Sequence, residues 1–339
     1  MMENNHIHIN HLTIGYKERG NRKTVASDIN ATIKSGELTC LLGANGIGKS
    51  TLLRTLCGFQ APLGGEIIIR GRALSDYTDK ELAGIIGVVL TEKCELRNMT
   101  VEELVGMGRS PYTGFWGRLS KHDKEVIDNS IKLVNIEHLR YQMVHQLSDG
   151  ERQKAMIAKA LAQETDIIFL DEPTAFLDFP SKVEIMQLLH RLSHSGNRTI
   201  FLSTHDLELA LQIADKVWLM NREAGVRTGT PEDLSLNGSL SHFFLRKGIR
   251  FDMESGLFRI SKQATVSTRL TGEGNRYTMA QKALARHGIN ADRENSSDWY
   301  IEVTDEYFNV HHTNGKTEQT SSIEDLLQSV HNLLAALPR

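Results

Sequence analysis

Apolar and polar positions alternate over residues 6–14 (HIHINHLTI) and again over 25–33 (VASDINATI), with the polar stretch YKERGNRK between them. Period-two alternation predicts two half-buried strands around a turn. The pattern then changes. ELTCLL reads as a short apolar run of strand type, GANGIGK as a tight glycine-rich loop, and STLLRTLCG as a helix ending at Gly58. EIIIR and IIGVVL predict two more strands, with a helical turn at DKELAG between them. Residues 100–108 and 121–135 carry helical spacing, the second through Val126, Ile127, Ile131 and Val134. From residue 150 onward three helical segments (ERQKAMIAKALAQ, SKVEIMQLLHRLSH, LELALQIA) alternate with three apolar strands (DIIFLDE, RTIFLST, KVWLM). That rhythm predicts a parallel sheet covered by helices on both faces. It stops near residue 240. The remainder offers short strands (GLFRI, WYIEVT, YFNVHH) and two helices (TMAQKALARHG, SIEDLLQSVHNLLAAL), which predict a small α+β domain over 250–339 beside a main body over 1–240.

Composition narrows this little. The 339 residues suffice for one large or two modest domains, and 40% hydrophobic with 24% charged residues is ordinary for a globular chain. A net charge of −3 argues against a broad nucleic-acid-binding surface. Cys40, Cys57 and Cys94 make no paired spacing, which fits a reducing compartment. No stretch reaches the roughly 18 apolar residues needed to span a bilayer, and the N-terminus lacks the features of a secretory signal. The chain is therefore expected to be soluble or held at a membrane by another protein. His6, His8 and His11 fall on the polar face of the first strand, where solvated histidines are expected rather than a metal site.

The chemistry concentrates in three places. Gly43-Ala44-Asn45-Gly46-Ile47-Gly48-Lys49-Ser50 matches G-x-x-x-x-G-K-[ST] and sits between an apolar strand and a leucine-patterned helix, as a phosphate loop requires. Its glycines let backbone N–H groups wrap phosphate oxygens, and the helix start adds its positive end. Lys49 would reach the β- and γ-phosphates of ATP, and Ser50 would coordinate Mg2+. Thr51 follows on the same helix. Second, Ile167-Ile168-Phe169-Leu170-Asp171-Glu172 is a buried strand ending in two carboxylates, at the kind of tip where open sheets bind ligands. Asp171 would hold Mg2+ and Glu172 would polarise the attacking water. Third, Leu147-Ser148-Asp149-Gly150-Glu151 lies just upstream, at a predicted helix start. The first two alone specify a P-loop NTPase.

The third resembles the signature of ATP-binding-cassette (ABC) ATPases, usually LSGGQ, and with it the resemblance runs over residues 6–235. It implies an α/β fold: a P-loop NTPase core of mixed sheet with helices on both faces, antiparallel N-terminal strands and a helical subdomain over about 92–165; the small C-terminal α+β domain read from the pattern lies beyond the resemblance. It further implies that Tyr16 stacks on adenine and that Ala175-Phe176-Leu177-Asp178 is the loop communicating across a dimer. His205 would contact the γ-phosphate, and Ser148 and Gly150 would close over the ATP of a facing subunit. The run from Met99 to Tyr112 (MTVEELVGMGRSPY) and the following WGRLSKHD are similar to the ATPases of importers for iron–siderophore complexes, haem and cobalamin. The implied partners are a second copy, a transmembrane permease contacted through the helical subdomain and, indirectly, a substrate-binding protein, with no nucleic acid. The implied place is the cytoplasmic face of a bacterial inner membrane. The alternatives are a soluble ABC ATPase outside transport, or an importer for another substrate.

Two positions depart from the family. Thr91 stands where a glutamine normally senses Mg2+ and the permease, and its shorter side chain predicts weaker coupling there. Asp149 and Glu151 replace a glycine and a glutamine of the signature. A carboxylate beside a γ-phosphate is unfavourable, so Asp149 is expected to point away, with both acids stabilised by the helix dipole.

Overall fold

The computed structural model describes residues 5–18, 21–90, 98–114, 117–222, 225–243, 249–252, 257–260 and 264–336. Thr91, Cys94 and the tryptophan of WGRLSKHD lie outside the described residues. The chain divides into two compact units, Met1–Phe243 and Phe244–Arg339.

The first unit opens with β1 (Asn5–Glu18) antiparallel to β2 (Asn21–Lys34). Both strands are longer than the alternation predicts. Residues of the polar stretch taken for a turn continue the ladder, with Tyr16 opposite Lys23 and Lys17 opposite Arg22. Main-chain pairing needs no apolar side chain where the strand faces solvent, so polarity there hides strand. Next come β3 (Leu38–Gly43), α1 (Lys49–Leu56), β4 (Gly64–Ile69) and β5 (Arg72–Ala73), and β2-β1-β4-β5 form an antiparallel sheet. Then follow α2 (Asp79–Ala83), β6 (Ile86–Val89), α3 (Val101–Gly106), α4 (Lys121–Leu133) and α5 (Asp149–Ala162). The expected helix over 100–108 is α3 continued by a single 3-10 turn. The unit is completed by β7 (Ile167–Asp171), α6 (Phe179–His194), β8 (Thr199–Thr204), α7 (Leu207–Ile213), β9 (Lys216–Asn221), β10 (Gly225–Gly229), α8 (Pro231–Leu236) and α9 (Ser239–Phe243).

The main sheet runs β10-β9-β3-β8-β7-β6, with β10 antiparallel and the other five parallel. β3, β7 and β8 are buried almost throughout, as strands covered on both faces must be. Because they run in one direction, their C-terminal tips emerge along one edge. That edge carries Gly43, Asp171 and Thr204, and with them the loops that each strand feeds.

The MTVEELVGMGRSPY run has a structural explanation of its own. Thr100 caps α3 in a reciprocal box with Glu103. Gly108 lies so close to α5 that a Cβ there would meet the Lys159 carbonyl oxygen at 2.2 Å. Arg109 is 2% exposed; its Nε donates to Asp123 Oδ1 at 2.7 Å, and its Nη1 donates to Ala162 O at 2.8 Å and Glu164 Oε2 at 2.6 Å. The Tyr112 ring lies 4.2 Å from the guanidinium carbon, and its hydroxyl donates to Gln163 O. Arg109 thus ties the end of α3, α4 and the end of α5 together, using the fan of donors that only a guanidinium offers.

Hydrogen bonds from Ser120 and then Arg109 hold the Asp123 carboxyl down at about 2, below its ordinary value of 3.8. A depressed carboxyl stabilises the fold above its unfolded pKa, and that contribution is lost as pH falls through the folded one. Asp123→Asn is therefore expected to unfold at lower urea than wild type at pH 7. The gap between the two should narrow from about pH 4 to pH 2. A gap that stays constant across urea titrations in that range would contradict the assignment.

The second unit pairs β11 (Ile249–Asp252) with β12 (Leu257–Ile260). A five-stranded sheet follows, built from β13 (Val266–Thr271), β14 (Ile289–Asp292), β15 (Tyr300–Val303), β16 (Phe308–His311) and β17 (Thr317–Thr320) in the order β14-β13-β15-β16-β17. Helices α10 (Gly274–Arg286) and α11 (Ile323–Ala336) join it, and Leu270, Leu284, Ile301, Phe308, Leu326 and Val330 are buried in its core. This unit has its own apolar core.

Candidate active site

The phosphate loop leaves β3 at Gly43 and enters α1 at Lys49. Gly46 and Gly48 have φ of +72° and +115°, and a Cβ on Gly48 would come within 2.2 Å of Val25 Cγ1, so the loop closes only on glycine there. The start of α1 has no side-chain cap and no acid in its first turn. Its N–H groups and positive end are left for an anion.

Lys49 is 6% exposed, and its Nζ donates to Gly43 O at 2.9 Å and sits 3.3 Å from Glu172 Oε1. The other Glu172 oxygen, Oε2, lies 3.3 Å from His205 Nδ1. One carboxylate is thus held between an ammonium and an imidazole. Its backbone explains how it reaches there. Glu172 has φ of +44°, a left-handed conformation that a glutamate adopts only when its surroundings impose it. The Glu172 N–H donates to Ser203 Oγ at 2.9 Å, and the same hydroxyl donates to Asp171 Oδ1 at 2.6 Å. Ser203 is fully buried on β8, directly opposite Asp171 in the sheet register. It fixes both carboxylate residues at once.

Tyr16, near the end of β1, places its hydroxyl 2.6 Å from Thr51 Oγ1, and the residue is 39% exposed. Together Tyr16, the loop from Asn45 to Thr51, Asp171 and Glu172 line a groove of about 940 Å3. Lys23, Val25 and Arg222 line it too. None of these three, nor Ser203, stood out in the sequence. A lone hydroxyl pair ending an apolar strand beside His205 was the available signal for Ser203. Ser50 and Asp171 both line the groove and offer a hydroxyl and a carboxylate, hard oxygen donors of the type that Mg2+ takes.

Leu147 to Glu151 do not line this groove. Ser148 caps α5, and Asp149 Oδ1 accepts from Arg152 Nη1 at 3.2 Å. Phe176, in the loop after β7, has φ of +66° and is 76% exposed, while Asp178 caps α6. Of the early histidines, His11 pairs with Asp28 at 2.7 Å at the surface.

Known proteins resemble this chain in sequence and fold. The ABC transporter family model matches residues 26–175, and the iron ABC transporter C-terminal domain model matches 265–331. An uncharacterized ABC transporter ATP-binding protein of Methanocaldococcus jannaschii is 41% identical over 249 residues, covering 74% of this chain and 84% of that protein. The petrobactin import ATP-binding protein FpuC of Bacillus anthracis is 35% identical, covering 68% and 83%. The ferric enterobactin transport ATP-binding protein FepC of Escherichia coli is 36% identical, covering 66% and 81%. Among solved structures, a metal-chelate type ABC transporter in an inward-facing conformation superposes with a TM-score of 0.61 at 29% identity, covering 71% of this chain and 89% of that one. A dimeric bacterial ABC transporter cassette superposes with a TM-score of 0.58 at 28% identity, covering 66% and 98%.

Proposed function

This chain belongs to the ABC transporter ATP-binding family, and from that premise we propose that it energises uptake of an iron–siderophore complex, or of the related haem and cobalamin class, through a separate permease. The observation that carries the reading is the match of residues 265–331 to the iron ABC transporter C-terminal domain, and the divided site adds a second copy to it. The groove holds the phosphate loop, Asp171 and Glu172, whereas the signature residues Leu147–Glu151 lie outside its walls. ATP bound in one copy is then completed by Ser148 and Gly150 of a second copy.

The residue roles follow from the resting contacts. Lys49 exchanges its contact with Glu172 for the β- and γ-phosphates, and the uncapped start of α1 receives the same charge. Tyr16 packs against the base. Glu172, freed from Lys49, accepts the proton of the attacking water, with His205 at its other oxygen keeping it oriented. Ser50 and Asp171 would hold Mg2+, which would supply charge neutralisation at the phosphates. Ser203 anchors Asp171 and Glu172 and so acts as a positioning residue.

A second groove, of about 680 Å3, lies between the end of α1, α2 and the Met107–Pro111 segment. Its rim presents Phe59, 61% exposed, and Met107, 44% exposed. This groove is assigned to a helix of the permease, because it joins the nucleotide-binding core to the segment anchored by Arg109. Among the described residues no helix is long and apolar enough to cross a membrane. The permease contact would hold the chain at the cytoplasmic face of the inner membrane. The match of residues 265–331 to the iron ABC transporter C-terminal domain, and the siderophores in the relatives' names, support the substrate class.

The test uses tagged Glu172→Gln protein recovered with ATP from detergent-solubilised membranes, alongside uptake of radiolabelled ferric siderophore in cells lacking this chain. A polytopic permease in stoichiometric amount, and uptake restored only by wild type, are expected. Recovery as a soluble homodimer, with uptake unaffected by loss of the chain, would move the protein out of transport.

A further inference from the structure

The hydroxyl that the facing ATP needs is already engaged within its own chain. Ser148 Oγ donates to Glu151 Oε2 at 2.7 Å and accepts from the Glu151 N–H at 3.3 Å, while the Ser148 N–H donates to the same Oε2 at 2.8 Å. This reciprocal box caps α5. A serine hydroxyl has one proton, so Ser148 cannot donate to a phosphate while it donates to Glu151.

The surrounding charges do not relieve the competition. Arg152 is turned to Asp149 and the Leu147 carbonyl, and Lys154 is paired with Glu184 at 2.7 Å. The hydrogen bonds from Ser148, with smaller contributions from His138 and Lys154, hold the Glu151 carboxyl below its ordinary range. It is therefore ionised at neutral pH. An ionised carboxylate one hydrogen bond from the hydroxyl meant for a γ-phosphate both withholds the proton and repels the anion.

We propose that Glu151 is a latch on the ATP sandwich: its carboxylate competes with the γ-phosphate bound by the second copy for the Ser148 hydroxyl proton, and the dimer closes only when the Ser148–Glu151 bond opens. This rests on the reading that Ser148 faces the ATP of a second copy. The latch makes Glu151 a positioning residue that sets how much ATP is needed for closure. Glutamine at this position would keep an acceptor for the Ser148 N–H without the charge, leaving the cap in place and the hydroxyl free to turn.

The experiment measures ATP-driven dimerisation of the full chain by sedimentation velocity. A Glu172→Gln background suppresses turnover, and Glu151→Gln and Ser148→Ala are added separately. Glu151→Gln is expected to lower the ATP concentration for half-dimerisation about tenfold, the difference between a charged and a neutral hydrogen-bond partner. Ser148→Ala is expected to raise it by a similar factor. If Ser148→Ala weakens dimerisation while Glu151→Gln leaves it unchanged or weaker, the latch is overturned and the sandwich reading stands. If Ser148→Ala has no effect, Ser148 does not meet the facing nucleotide, and both fall together.

Discussion

Lys49→Ala is expected to cost at least about 10³-fold in ATP turnover, because it removes the buried ammonium of the phosphate loop. The resting contacts explain why the loss should exceed that of an ordinary donor. Lys49 is buried, bonded to the Gly43 carbonyl and 3.3 Å from Glu172. In the alanine variant the groove keeps Glu172 but loses the buried cation 3.3 Å from it, so arriving phosphates meet more negative charge at that point. Nucleotide affinity should fall along with the chemical step, and binding of a fluorescent ATP analogue would read that separately from phosphate release. Lys49→Arg supplies a control: it restores charge, yet its planar fork does not fit a cradle built around a single point donor to Gly43. It should recover binding more than turnover. Turnover of Lys49→Ala within tenfold of wild type would remove Lys49 from the chemistry.

Local backbone chemistry made the phosphate loop legible in the sequence. Glycine spacing, a lysine and a following leucine-period helix together specify a nest and a helix start, with no knowledge of distant residues. Asp171 and Glu172 were legible for a similar reason, since an apolar strand ending in two acids has few other uses. What the sequence hid depends on register and on strain. Ser203 matters because β7 and β8 pair with Asp171 opposite Ser203, a fact of the sheet rather than of either strand. The left-handed backbone of Glu172 follows from that same anchoring. Arg109 was visible only as part of a motif, and its burial between two acids became apparent once α4 and α5 were in place. In the second unit β17 reads TEQT, with no apolar residue, because it lies at the edge of the sheet. The outward residues of β1 and β2 were hidden likewise.

Glu172→Gln should reduce turnover by about 10²–10⁴-fold while strengthening the ATP-bound dimer, a pairing of effects that separates a proton acceptor from a structural acid. The amide matches the carboxylate in shape, so the Glu172 N–H can keep its bond to Ser203 and the left-handed backbone can persist. Only the capacity to take a proton from water is lost, together with one negative charge near the γ-phosphate. The first loss slows hydrolysis. The second removes a repulsion that opposes ATP binding and frees Lys49 from its resting partner, so nucleotide should be held more tightly. A structural role predicts something else: weakening Ser203→Ala and Glu172→Gln alike, with poorer nucleotide binding in both. Size-exclusion chromatography with ATP and steady-state phosphate release, run on both variants, distinguishes the cases. Persistent dimers with little phosphate released mark Glu172 as the base. Hydrolysis within about threefold of wild type would exclude it, since general-base catalysis contributes at least about 10². His205, whose Nδ1 lies 3.3 Å from Glu172 Oε2, would then be the next proton acceptor to test.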